Sequence, residues 1–205
     1  MDRDTMLWTK FELRRSMRDR LRAIPASQLQ EWSMEVAAML QRRGPLWERK
    51  GVVAMFGGLR DEPDLISFFL PWAREQGWRT ALFAIEGPDL LPFEVRTSAD
   101  LERGPLGAWV PVRRPEHAIS LTELTLILVP GLAFGESDGA RLGRGGGYFD
   151  RLLANPGVKA QLIGVGFELQ VLPSVPCEPH DMRVWELVTQ SQWRGFERPC
   201  WKAND

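Results

Sequence analysis

Two cysteines and one tyrosine in 205 residues leave several common kinds of site without material. Cys177 and Cys200 lack C-x-x-C spacing, so neither a disulfide framework nor a cysteine-ligated zinc centre is indicated. No Ser/His/Asp or Cys/His arrangement stands out as an activated nucleophile. A formal net charge of −1 argues against bulk attraction to nucleic acid or a membrane surface, while leaving room for a local basic pocket. No apolar run approaches the ~20 residues of a membrane span. The opening Met1-Asp2-Arg3-Asp4 is too charged for a signal peptide. Internal repeats and low-complexity segments are missing too. These exclusions point to a cytoplasmic globular protein. At this length one α/β domain over residues 1–197, with a loosely held tail at 198–205, is the simplest organisation.

What is present is an alternation of helix and strand signals. Thr9-x-x-Glu12 is a capping box that predicts a helix to about Ala23, before Pro25. Ser27-x-x-Gln30 predicts a second cap, with Leu29, Trp32, Val36, Met39 and Leu40 on one face and Gly44 beyond the end. Residues 52–56 predict a buried strand, 63–76 a helix interrupted near Pro71, and 80–85 another strand. Three further strands are expected at 124–129, 162–167 and 184–189, while 86–120 is proline-rich and gives no clear pattern. Strands alternating with helices imply a mainly parallel sheet.

The densest chemistry lies between an expected strand and an expected helix. Arg141-Leu142-Gly143-Arg144-Gly145-Gly146-Gly147-Tyr148-Phe149-Asp150 places four glycines, two arginines and an acid in ten positions. Without Cβ atoms, the glycines can take φ > 0 and turn successive N–H groups toward one point, where an anion such as a phosphate chain could sit. Arg141 and Arg144 would add cationic forks. Neither G-x-x-x-x-G-K-[ST] nor G-x-G-x-x-G fits the segment, so the two common phosphate loops are excluded. A flexible tight turn is the plainer alternative.

Other residues carry two meanings each. Lys10, Arg14 and Arg18 fall at i, i+4 and i+8 and line one helix face, as a solvated stripe or as a contact for a polyanion. Asp150 falls in a helix's first turn, where a carboxylate is stabilised by the dipole; it is equally a candidate ligand for a hard cation. Tyr148 is core packing or a site residue. Phe56-Gly57 and Asp61-Glu62 would follow the first strand at the carboxyl edge of the sheet, where open α/β folds bind ligands.

Val129-Pro130-Gly131-Leu132-Ala133-Phe134, then Gly139 and Arg141 through Arg151, resemble the signature of the 5-formyltetrahydrofolate cyclo-ligases, also called methenyltetrahydrofolate synthetases. The likeness extends more thinly to Lys10-x-x-x-Arg14, Asp61-Glu62, Gln170, Pro176, His180-Asp181 and Thr189. It implies a single three-layer, Rossmann-like α/β domain. It also implies ATP-dependent conversion of 5-formyltetrahydrofolate, free or polyglutamylated, to 5,10-methenyltetrahydrofolate by a monomer that binds neither nucleic acid nor membrane. ATP would be bound by Lys10, Arg14, Arg141, Leu142, Gly143, Arg144, Gly145, Gly146, Gly147, Tyr148 and Phe149. Magnesium would be held by Asp150 and Asp181, with His180 a loop or packing residue. Folate would lie against Phe56, Gly57, Glu62, Trp109 and Tyr148, and Arg144 and Tyr148 would act in the reaction. Arg18 has no match and stays a solvated residue.

The chain departs from the family in places. Phe56 stands where tyrosine is common, Tyr148-Phe149 replaces a Tyr-Tyr pair, and Arg114-Pro115 replaces Glu-Pro or Gln-Pro. Gln190 stands where an acid usually follows the late threonine. These changes keep two alternatives open: a paralogue with the same ATP cradle and another substrate, or a non-catalytic folate- or nucleotide-binding module.

Overall fold

The computed structural model describes residues 9–197, so the opening residues and the expected tail at 198–205 lie outside the described residues. Helix α1 (Lys10–Arg22) starts as its capping box requires: Thr9 Oγ1 accepts from the Glu12 N–H, and the Glu12 carboxylate accepts from the Thr9 N–H at 3.0 Å. Leu13, Met17 and Leu21 form its buried stripe. Helix α2 (Ala26–Gln41) corrects the second expected cap. Pro25, not Ser27, is the N-cap residue, with no side-chain cap bond, and Ser27 already lies in the first turn. The proline ring presets an extended link, and the Pro25 carbonyl accepts the first helical bond from Leu29 at 3.1 Å. Leu29, Val36 and Leu40 are buried as expected, while Trp32 and Met39 are half-buried.

A short turn, α3 (Gly44–Trp47), leads into β1 (Val52–Met55), buried along its whole length. The expected 63–76 helix is two pieces, α4 (Leu65–Phe68) and α5 (Leu70–Glu75), broken at Phe69 just ahead of Pro71. Strand β2 (Arg79–Glu86) turns back as β3 (Asp89–Glu94), and β4 (Leu101–Arg103) with β5 (Trp109–Pro111) makes a separate two-stranded ribbon. These last three strands occupy the stretch that gave no clear pattern. The rest of the chain supplies β6 (Leu124–Pro130), β7 (Ala133–Gly135), β8 (Arg141–Leu142), α6 (Tyr148–Ala154), β9 (Gln161–Val165), β10 (Val171–Leu172), β11 (Glu186–Val188) and β12 (Trp193–Gly195).

The main sheet has strand order β12-β11-β9-β6-β1-β2-β3. Its five inner strands run parallel, and the edge strands β3 and β12 are antiparallel. Side chains alternate between two apolar layers. Val53, Met55, Leu126 and Leu128 pack with α1, α2 and α5, whereas Ala54, Ile127 and Val129 pack with Leu152 and Leu153 of α6. Helices on both faces make this the three-layer α/β fold that the family resemblance implied, around the mainly parallel sheet that the pattern implied. From β1 the chain moves to β2 on one side and later returns to β6 on the other, so the carboxyl ends of β1 and β6 flank a switch point, where a crevice opens.

Candidate active site

That crevice is a cavity of about 290 Å³. One wall follows β1: Phe56, Gly57 and Glu62. A second comes from the β4–β5 ribbon with Trp109, and a third is the glycine loop with Arg144, Gly146, Gly147 and Tyr148. The ribbon can approach only because residue 57 is glycine. A Cβ there would stand 1.6 Å from the Trp109 carbonyl oxygen, and the Trp109 N–H donates to the Gly57 carbonyl at 3.1 Å. Phe83 packs edge-on against Phe149 at 5.8 Å, and both line the cavity. The structure therefore gathers all five expected folate-pocket residues at one place.

The loop is shaped by its glycines and held from behind by α1. Gly145 (φ 109°) and Gly147 (φ 66°) take backbone conformations that side chains resist. Arg14 Nε donates to the Gly143 carbonyl at 2.9 Å, and Arg18 Nη2 donates to the Arg144 carbonyl at 2.9 Å. Arg18 is thus not a solvated residue. The charge stripe on α1 is tolerated because each cation has its own electron-rich partner: Lys10 Nζ donates to Glu178 Oε2 and Asp181 Oδ2, both at 2.6 Å.

Arg144 spans the cavity edge. Its Nη2 and Nη1 donate to the two oxygens of Asp61 at 2.6 and 3.3 Å, and its Nε donates to Glu62 Oε1 at 2.8 Å. Burial works against this guanidinium, but the charges and hydrogen bonds of Glu62 and Asp61 outweigh it and hold its pKa above the ordinary value. Glu62, itself buried, also accepts the Leu59 N–H at 2.9 Å. Its carboxylate is fixed from two sides.

Arg141 is 4% exposed and is committed within the protein: Nη2 donates to Asp150 Oδ1 at 2.6 Å and Nη1 to the Pro130 carbonyl at 3.2 Å. Its Nε is buried with no hydrogen-bond partner. In this structure Arg141 orients Asp150 from beneath the loop. Asp150 Oδ1 also accepts from the Met182 N–H at 3.3 Å, which draws the 178–182 segment to the start of α6. There the Asp181 Oδ2 accepts from the Glu178 N–H at 2.6 Å as well as from Lys10. Burial opposes the charged forms, yet this pairing raises the Lys10 ammonium and lowers the Asp181 carboxyl relative to their ordinary values. Asp150 and Asp181, expected together at a metal, lie on adjoining segments. His180 is an exposed residue rather than a packing one, and one ligand atom each from Glu178, His180 and Asp181 lie within 4.8 Å of one another.

The sequence missed Glu178 altogether and gave no site role of their own to Asp61 or Arg18. Asp61 was visible beside Glu62, and Arg18 completed the i, i+4, i+8 stripe; Glu178 gave no signal, because its partner is 168 residues away. Arg114 pairs with the buried Asp100 just ahead of the ribbon and does not line the cavity, so that departure from the family stays outside the pocket. Gln170 is fully buried and ties loops together, accepting from the Phe167 N–H at 2.7 Å and donating to the Gly131 carbonyl at 2.7 Å. Among the described residues no helix is long and apolar enough to cross a membrane.

Comparison with known proteins is consistent along the chain. The pattern of the 5-formyltetrahydrofolate cyclo-ligase family matches residues 8–190. A 5-formyltetrahydrofolate cyclo-ligase of Escherichia coli K12 is 28% identical over 186 residues, covering 86% of this chain and 97% of that protein. Enzymes of the same name from Mycolicibacterium smegmatis and Mus musculus are 40% and 42% identical over 87 and 77 residues. Those two matches cover 42% and 36% of this chain and only 41% and 37% of the relatives' own lengths. Among solved structures, the Aquifex aeolicus 5,10-methenyltetrahydrofolate synthetase superposes with a TM-score of 0.78 at 28% identity, covering 91% of this chain and 92% of that one. The Mycoplasma pneumoniae synthetase, 16% identical with a TM-score of 0.72 over 89% of this chain and 99% of its own, shares the fold.

Proposed function

This chain belongs to the 5-formyltetrahydrofolate cyclo-ligase family, and from that premise we propose that it converts 5-formyltetrahydrofolate to 5,10-methenyltetrahydrofolate using ATP, as a cytoplasmic monomer. The observation that carries this is a single cavity with two kinds of wall: apolar rings and a fixed carboxylate on one side, and a glycine loop backed by cations on the other. A flat heterocycle with N–H donors suits the first wall and a phosphate chain the second.

Glu62, oriented by Arg144 and the Leu59 N–H, accepts hydrogen bonds from the pterin, while Phe56, Trp109 and Tyr148 exclude water around it. Lys10, Arg14 and the N–H groups of the 143–147 loop receive the phosphates, and Arg141 acts through Asp150. Asp150 and Asp181 are hard oxygen donors on adjoining segments and fit a divalent cation. Magnesium bound there would neutralise phosphate charge. The γ-phosphoryl group passes to the formyl oxygen as ADP leaves, N10 attacks the activated carbon and gives up its proton, and the ring closes as phosphate leaves. Holding those atoms in line is the protein's contribution, with no covalent nucleophile. Following the methenyl chromophore with and without Mg-ATP tests this. Product that forms at the same rate without ATP, or does not form at all, overturns it.

A further inference from the structure

The β4–β5 ribbon turns through Gly104-Pro105-Leu106-Gly107, closed by a hydrogen bond from the Gly107 N–H to the Gly104 carbonyl at 3.2 Å. Proline at the second position and φ 65°, ψ 9° at the third are the marks of a type II turn. That third position suits glycine or asparagine, because a Cβ is strained at positive φ. Here it is leucine, the one non-glycine residue with positive φ among the described residues. Leu106 is also 89% exposed and lines the cavity. Two local penalties, a strained backbone and an apolar side chain in water, therefore fall on one residue at the mouth of the candidate site. Strain of this kind points toward function when it is found beside a ligand cavity.

The ribbon is anchored so that this tip cannot drift. Trp109 is bonded to Gly57 at 3.1 Å, the Arg103 guanidinium stacks on the Trp109 ring at 3.7 Å, and Arg103 Nη1 donates to the Gly107 carbonyl at 2.6 Å. Gly104 is packed against Val110, where a Cβ would stand 2.7 Å from a methyl carbon. Of the residues that line the cavity, Glu62 is buried and Leu106 is exposed to solvent.

We propose that Leu106 is a substrate contact that sets specificity at the pocket mouth. Its side chain packs on the apolar aromatic ring that follows the pterin head, and the bound substrate covers it. This rests on the folate assignment above. A folate whose head reaches Glu62 must carry its arylamide ring out past the ribbon tip, and a leucine held there by a fixed turn meets that ring without first having to be ordered.

The test compares Leu106→Gly, Leu106→Ala and Leu106→Met with the wild type in thermal stability, in KM for 5-formyltetrahydrofolate and for ATP, and in equilibrium titration with 5-formyltetrahydrofolate. Glycine removes the strain and the contact together, so its Tm should equal or exceed that of the wild type while KM for the folate rises about tenfold, the scale of one leucine burial. KM for ATP should not move. Alanine keeps the strain and loses the contact, so KM should rise with no gain in Tm. Methionine should restore most of the affinity. Unchanged folate KM in the glycine variant overturns the proposal. So does a clear fall in its Tm, which would show that the side chain serves the fold. If the wild type binds the folate but forms no methenyl product, the activity assignment fails alone, and the titration still decides whether Leu106 is a contact. If it binds no folate, both fail.

Discussion

Replacing Arg144 by methionine removes one charge from a cluster in which two carboxylates share it. The Arg144 side chain is 28% exposed, Asp61 15% and Glu62 8%, so the pairings sit between the surface and interior cases. Three hydrogen bonds of 2.6, 2.8 and 3.3 Å are lost, and two anions remain beside each other with water reaching them only in part. Breaking a fully buried pair costs about 3–5 kcal/mol. Partial exposure here brings the expected loss to roughly 2–3 kcal/mol, or a fall in Tm of about 4–12 °C for a chain of this size. Because most of that loss is the unpaired anions and not the missing attraction, neutralising them should recover stability. The triple change Asp61→Asn, Glu62→Gln and Arg144→Met should regain at least half of it while remaining inactive, since Glu62 no longer accepts the pterin as an anion. Chemical denaturation of the wild type, the Arg144→Met variant, the Asp61→Asn/Glu62→Gln variant and the triple variant at neutral pH, analysed as a mutant cycle, provides the measurement. A loss below about 0.5 kcal/mol in the single variant, or no recovery in the triple one, would refute the account of Arg144 as a shared, half-buried cation.

Arg18→Ala should leave thermal stability within about 1 kcal/mol, as expected for one half-exposed hydrogen bond, yet raise the ATP concentration needed for half-maximal rate several-fold. Its bond to the Arg144 carbonyl orients the following peptide plane. Arg22→Ala, on the exposed end of α1, is the control, and equal effects at both positions would point to general helix electrostatics. Asp150→Asn should abolish methenyl formation at every magnesium concentration. It should also cost about 1.5–3 kcal/mol, more than helix-start chemistry alone, because the buried Arg141 guanidinium loses its anionic partner; near-normal turnover would exclude the metal role, and unchanged stability would exclude the ion pair. Glu94 accepts from Arg79 and Arg96, and Arg79 above all holds its carboxyl below the ordinary 4.5. A folded pKa below the unfolded one contributes stability above about pH 4.5 that is lost as pH falls through the folded value. Glu94→Gln should therefore destabilise the protein at pH 7, with the gap to wild type closing below pH 4.5; a gap that stays constant across the scan contradicts this.

Local chemistry was legible in the sequence wherever the cause is local. The Thr9 capping box, the break ahead of Pro71 and the place of Asp150 in the first turn of α6 follow from residues within a turn of each other, and each stands as the pattern requires. Ser27 shows the limit of that approach. A valid capping pattern lost to Pro25 because the backbone can start a helix at only one place, and the proline offered the earlier extended link. The 86–120 stretch resisted assignment because β4 and β5 are three residues long each, too short for a period to show, and are stabilised by contacts such as Trp109 on Gly57.

By itself, the sequence determined the alternating α/β order, the glycine-rich loop between strand and helix and, through the resemblance of that loop, the family. Those properties are carried by residues close together in the chain, where spacing and side-chain type already encode geometry. Only the tertiary structure decided what each charge is for. Lys10 meets Glu178 and Asp181, Arg18 meets the Arg144 carbonyl, Arg144 meets Asp61 and Glu62, and Arg141 turns inward to Asp150. A charged side chain's role depends on the nearest opposite charge or dipole in space, and a parallel sheet brings together groups from distant strands. Leu106 makes the same point for an apolar residue. As a letter it is an ordinary leucine, and only its backbone angle and its place at the cavity mouth set it apart.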